Sequence, residues 1–119
     1  MNKDVLDIED VLDRVQDDWE LLLELFSIFE DDYQEKRQRL TEAMAANDFE
    51  QIRNLAHSMK GASGNISAKL VHASCARIEE FAEQNQSAKV KAELAVLDEQ
   101  FVQLQACIKQ LREKYENSK

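Results

Sequence analysis

One histidine, one lysine and two glycines stand close together near the middle of this chain. They lie in Leu55-Ala56-His57-Ser58-Met59-Lys60-Gly61-Ala62-Ser63-Gly64-Asn65-Ile66, a stretch that holds one of two histidines and both glycines of the 119 residues. Projected at about 100° per residue, Ile52, Leu55, Ala56, Met59, Ala62, Ser63 and Ile66 form one apolar stripe, and His57 lies roughly 160° from its centre, towards water. Lys60 at i+3 and Gly61 at i+4 sit beside the imidazole, Arg53 lies one turn before it, and Gly64 one turn beyond Gly61. A glycine inside a helix costs about 1 kcal/mol relative to alanine, so two on one exposed face are there for a reason. They strip side chains from the surface beside the histidine. Such an imidazole, with a cation in reach and bare backbone next to it, suits a base or nucleophile that a large partner approaches closely. The lysine would stabilise negative charge arriving there. A lone exposed histidine is more often an ordinary surface residue. That is the reading for His72, which lies on the flank of its helix without lysine or glycine company.

The run Ala56-His57-x-x-Lys60-Gly61-x-x-Gly64-x-Ile66 resembles the signature of histidine-containing phosphotransfer (HPt) domains, helical proteins that carry a phosphoryl group between the receiver domains of two-component phosphorelays. Leu70, Cys75, Ile78 and Glu79 fall where that family places its next helix. One position departs from the pattern. The family usually has a glycine ten residues after the histidine, where this chain has Ser67; the position reads as a turn in which the serine caps the following helix. The resemblance implies that His57 is the phosphoacceptor and that Lys60, with Arg53, offsets phosphate charge, while Gly61 and Gly64 keep the surface open. Phosphoacceptor domains of chemotaxis kinases use a glutamate at the place of Glu79 to bind the imidazole. Here Glu79 flanks its helix's apolar stripe, where it either reaches the motif helix and fixes the tautomer that leaves Nε2 to attack, or stands in solvent as a surface carboxylate.

ATP binding would require a phosphate-cradling loop, typically glycine-rich, and a second domain, and the sequence offers neither. The resemblance then implies a phosphocarrier rather than an enzyme. Its group arrives activated, from a receiver aspartyl phosphate, by in-line attack of His57, and leaves to a second receiver. No cofactor or metal is expected on this chain; the receivers, in response regulators or hybrid histidine kinases, bring Mg²⁺ and most catalytic groups. Ile8, Val11 and Leu12 of a first helix, with Leu25, are the apolar residues expected to dock them. Both partners share one site, so they bind in turn, in weak and fast-exchanging complexes. The rival reading from another class is a helical adaptor that binds receiver or kinase partners without carrying phosphate. Only His57, Lys60, Gly61 and Gly64 separate the two.

The elements that hold these residues follow from composition and spacing. A chain of 119 residues is one domain's worth, 1–119, with room for a single core. A net charge of −9 argues against binding nucleic acid or anionic membrane, since phosphates would be repelled. Two cysteines without metal-site spacing, no apolar run near the roughly 20 residues of a membrane span, and no signal-peptide core after Met1 make the cytoplasm the expected compartment. The start at Met1 and the near-complete use of the chain suggest a free-standing protein, and a monomer is expected. Proline is absent, and no hairpin turn signal occurs, so the class is all-α. Ile8, Val11, Leu12 and Val15 predict a short helix over 7–15. A long helix over 18–46 begins at Asp17 with Glu20 in a capping-box spacing, and its stripe runs Trp19, Leu22, Leu23, Phe26, Phe29, Tyr33, Leu40 and Met44. Its second row, Leu21, Leu25 and Ile28, needs cover from the first helix or a partner. Asp48 with Gln51 starts the motif helix, 48–63, and Gly64 to Ser67 is read as the turn after it. Two more helices are predicted over 68–83, burying Val71, Ser74, Cys75, Ile78 and Ala82, and over 88–115, with Val90, Leu94, Leu97, Phe101, Leu104, Ile108, Leu111 and Tyr115 in alternating spacings. Cys75 and Cys107 are inert core or half-buried thiols, and Glu30, Asp31 and Asp32 a solvated acidic face. Short loops between long amphipathic helices give an up-down-up-down antiparallel four-helix bundle with the short N-terminal helix against one end. The last helix could instead pair with its own copy, but only the bundle covers all four stripes at once.

Overall fold

A computed structural model of the chain describes residues 2–118. Five helices make up its regular structure: α1 (Ile8–Arg14), α2 (Trp19–Ala45), α3 (Phe49–Asn65), α4 (Lys69–Glu83) and α5 (Ser87–Asn117). Three of them start on an aspartate. Asp7, Asp18 and Asp48 are the N-caps of α1, α2 and α3, and each carboxylate accepts a backbone N–H three residues on, from Asp10, Leu21 and Gln51 at 3.2, 3.1 and 3.1 Å. The cap of α2 is therefore Asp18 and not Asp17. Asp17 instead takes a left-handed φ of 60° in the preceding turn. A chain with no glycine outside α3 makes its turns by placing polar residues in that region, with φ of 55° at Gln16, 52° at Asn47, 60° at Ser67 and 56° at Asn85.

The end of α3 differs from the expectation. The helix continues past Ser63 to Asn65, so Gly64 is helical, and the chain reverses at Ser67. Ser67 does not cap α4. The N-cap is Ala68, which has no side-chain bond to give, and the left-handed backbone at Ser67 sends its hydroxyl to Asp10 Oδ2 on α1 instead.

Side-chain contacts fix the helix directions. Lys36 of α2 reaches Ser58 of α3 at 2.6 Å; His57 and Lys60 of α3 meet Glu79 of α4, while Gly64 meets His72. Ser74 and Arg77 of α4 meet Glu93 of α5, and Arg37 and Ser27 of α2 meet Asp98 and Arg112 of α5. The numbering runs in opposite directions across α3–α4, where His57 meets Glu79 and Gly64 meets His72, and across α2–α5, where Ser27 meets Arg112 and Arg37 meets Asp98; the short connections 46–48 and 84–86 turn α3 back on α2 and α5 back on α4. The four long helices thus form an antiparallel ring in which α5 closes back on α2.

The core runs the length of that ring. Phe26, Leu22, Leu40, Ile52, Met59, Ile78, Leu97, Leu104 and Ile108 are among its fully buried side chains, and truncating Phe26 to alanine would cost about 3–5 kcal/mol. Tyr33 of α2 stacks on Phe101 of α5 with ring centres 3.7 Å apart, Phe29 packs obliquely on both, and Trp19 stacks on Tyr115 near the end of the bundle. Burial pushes the Tyr33 phenol far above its usual range and the Cys75 thiol up to about 12, so neither ionises near neutrality. Cys107 is half-buried.

The N-terminal segment closes one end. Backbone bonds from Asp7 N to Ser67 O at 3.0 Å and from Leu70 N to Asp4 O at 2.9 Å tie it to the α3–α4 turn, helped by an ion pair of Lys69 with Asp7 at 3.1 Å. Arg14 adds a bond to Gly64 O at 3.3 Å and pairs with Asp10 at 3.2 Å. This places α1 where α2 and α5 run on beyond the α3–α4 hairpin, and Val5, Leu6 and Val11 fill the gap. Val11 is only 1% exposed, so it serves the core and is not available to a partner in this conformation.

Candidate functional site

The site is built on the outer face of the α3–α4 pair. His57 stands opposite the buried stripe of Ile52, Leu55, Ala56, Met59 and Ser63, and its side chain is 70% exposed. Its Nδ1 lies 2.7 Å from Glu79 Oε2 on α4. Lys60, one turn on, places Nζ 2.8 Å from the other oxygen of the same carboxylate and 3.4 Å from Oε2. Glu79 is no solvated carboxylate: its side chain is 14% exposed and both oxygens are engaged. The hydrogen bond from Lys60 leads in holding its pKa below the ordinary value; burial pushes the other way, and His57 adds to the lowering. Glu79 is therefore ionised at neutral pH. An ionised carboxylate only accepts, so the hydrogen shared with His57 sits on Nδ1 and the lone pair on Nε2.

The remaining expected residues divide. Nothing lies within 4 Å of where a side chain at Gly61 would begin, so that glycine leaves open space beside the imidazole. Gly64 does not. A Cβ there would meet the His72 ring, at 3.2 Å from Nδ1 and 3.4 Å from Cε1, so this glycine makes room for another side chain and not for a partner. Arg53 is half-buried and has no hydrogen bond or ion pair with a described residue. Ile8 and Leu12 are half-buried and line a cleft with Trp19, Gln110, Leu111 and Lys114 at the α1 end, and Leu25 is half-buried on α2. Leu25 continues into the exposed Leu21 and Ile28, 41% and 58% accessible.

Two residues that the sequence reading did not place at the site are found there. His72 is not a plain surface residue. Its Nδ1 donates to the backbone carbonyl of Lys60 at 2.8 Å, and the ring is half-buried against Gly64. The available signal is its place on α4, seven residues before Glu79 and so within about 20° of the same face. Lys36 of α2 donates to Ser58, next to His57, at 2.6 Å and pairs with Asp32 at 2.8 Å. The acidic run is accordingly split: Asp32 goes to Lys36, Glu30 pairs with Arg112 at 3.0 Å, and Asp31 is exposed.

Among the described residues no group of three or more His, Cys, Asp or Glu could hold a metal ion, and no helix is long and apolar enough to cross a membrane. The chemistry available at the surface is that of one tautomerically fixed imidazole with cations beside it.

Comparison with known proteins agrees on one family. The family profile of the Hpt domain matches residues 24–114. The fold is similar to the crystal structure of histidine-containing phosphotransfer protein B from Pseudomonas aeruginosa, with a TM-score of 0.79 and 27% identity over 93% of this chain and 96% of that one. It is also similar to histidine-containing phosphotransfer protein MtHPt2 from Medicago truncatula, with a TM-score of 0.82 and 22% identity over 98% of this chain and 84% of that one. No curated protein matches the sequence.

Proposed function

The chain belongs to the Hpt domain family, and from its histidine phosphotransfer role we infer that it is a phosphorelay intermediate, taking a phosphoryl group onto His57 from one receiver aspartate and giving it to another. The observation that carries this is the contact of Nδ1 with Glu79 at 2.7 Å. It leaves Nε2 outward with a free electron pair. That pair attacks phosphorus in line as the phosphorus–oxygen bond to the receiver aspartate breaks, and the aspartate departs as a carboxylate. The Nδ1 hydrogen stays in place, and the positive charge that spreads over the ring lies next to the ionised Glu79. Return transfer reverses these steps on a second aspartate.

Lys60 has two of its three ammonium donors turned to Glu79. A third remains for a phosphoryl oxygen. Arg53, one turn away and without an ion pair among the described residues, is the second cation for the arriving charge. Gly61 lets the receiver's loops approach the imidazole. The receivers bring Mg²⁺ and the groups that activate their own aspartate; this chain is a carrier that contributes the nucleophile. Docking falls to Ile8, Leu12 and Leu25, with the exposed Leu21 and Ile28 in the place that Val11 does not fill. The protein acts as a cytoplasmic monomer, meeting response regulators or hybrid kinases one at a time.

The test is transfer itself. Receiver domains of the same organism, labelled on aspartate, are mixed with the wild-type chain and with His57→Gln. The expected result is label on the wild type and none on the variant. Binding of receivers without label would favour the adaptor.

A further inference from the structure

We propose that His72 is a positioning residue for the phosphoacceptor and that Gly64 is its seat. Helix α4 carries His72 and Glu79 two turns apart on one face, a separation of about 10 Å along the axis. On α3, His57, Lys60 and Gly64 follow one another along the facing surface. The two helices meet there at two points. At one, the Glu79 carboxylate binds His57 and Lys60; at the other, the His72 ring lies on the bare backbone at Gly64 and donates Nδ1–H to the Lys60 carbonyl at 2.8 Å.

The buried faces of α3 and α4 already pack along their length, and two polar contacts a double turn apart set the fine register of the outer face. Lys60 belongs to both, its ammonium to the first and its carbonyl to the second. A shift of α4 that lengthens the His72 bond therefore moves Glu79 relative to His57. Gly64 suits the second contact because a Cβ there, 3.2 Å from Nδ1, would make the ring give by a few tenths of an ångström, and that retreat stretches its bond to Lys60 O. The carbonyl can only accept, so His72 must carry its hydrogen on Nδ1. This is the less common tautomer of a neutral histidine in water, and it is the one imposed on His57 by Glu79. His72 neither touches the phosphoryl group nor reacts; it acts through the register of α4.

The proposal rests on His57 as phosphoacceptor for its rate measurement, and on nothing but the fold for its spectroscopic one. In ¹⁵N-histidine-labelled protein, both rings are expected as Nδ1–H tautomers. His72→Phe keeps a ring of similar shape without the donor, and His72→Asn keeps a donor near the same place. The expected result is that His72→Phe shifts the His57 ring nitrogens and slows phosphorylation by phosphoramidate about fivefold, the worth of one hydrogen bond, while His72→Asn restores both to within about twofold. Gly64→Ala should do the same as His72→Phe in the wild-type background and nothing more in a His72→Ala background. Circular dichroism establishes that each variant is folded. Wild-type protein that phosphoramidate does not label at His57 would count against the phosphocarrier reading alone. Labelled wild type, with His57 signals and rate unchanged in His72→Phe, overturns the positioning role. An equal effect of Gly64→Ala in both backgrounds overturns the seat.

Discussion

Glu79 holds two partners with one carboxylate, and its charge is what makes the arrangement work. The hydrogen bond from Lys60 keeps its pKa below the ordinary value of 4.5. A carboxylate whose folded pKa is depressed contributes stability that is fully present above the unfolded value and is lost as pH falls through the folded one. Glu79→Gln removes that ionisation. The stability gap between wild type and Glu79→Gln, measured by urea unfolding, is therefore expected to be present at neutral pH and to close as pH falls through the depressed pKa of Glu79. A gap that stays constant down to about pH 3 would mean that the carboxylate is not held by its charge. Ser67 is a second case. Its φ of 60° lies where glycine is favoured, and its hydroxyl binds Asp10. Ser67→Ala loses the bond and keeps the strain, whereas Ser67→Gly loses both, so the glycine variant should be the more stable of the two by about 1 kcal/mol in thermal unfolding. Much of this level was legible beforehand. The outward face shared by His57, Lys60 and Gly61 could be read from helical spacing, whereas Glu79 stayed open between a bond to His57 and a place in solvent until the structure put it at 2.7 Å. His72 and the purpose of Gly64 could not be read, because a notch between two helices has no signature on either helix alone.

At the scale of elements, helix starts are the clearest signal in the chain. Aspartates at positions 7, 18 and 48 cap α1, α2 and α3 with nearly the same backbone geometry. The longest helix lacks this device. Its N-cap is Gln86, which makes no side-chain bond to the helix although its φ of −92° and ψ of 76° match the capped sites. Gln86→Asp is expected to raise stability by about 1 kcal/mol, and a denaturation midpoint unchanged or lowered would contradict it. The apolar stripes of α4 and α5 were readable almost residue for residue, since one buried face per helix fixes the spacing. Two boundaries were not. Asp17 and Asp18 compete for one cap, and only the chain's path shows that Asp17 sits in the turn with positive φ. Gly64 reads as a breaker, yet it lies inside α3 because the His72 contact calls for a small residue there.

The whole molecule is a rod of about 49 × 21 × 21 Å with the histidine on its long side, far from either end of α3. His57 on α3 and Glu79 on α4 share that side, and α5 closes the core across the ring from α3. The N-terminal segment could be foreseen as a lid on one end, but its burial of Val11 could not, because a seven-residue helix has no periodicity long enough to say which apolar side chains face in. In the proposed function His57 reacts through Nε2 because Glu79 occupies Nδ1. The measurement that tests it most directly is the phosphohistidine isomer formed after transfer from a phosphorylated receiver, identified by ³¹P–¹⁵N correlation on the intact protein or by alkaline digestion. Phosphate on Nε2 of His57, with no label in His57→Gln, is the predicted result. Phosphate on Nδ1, or on His72, would contradict it.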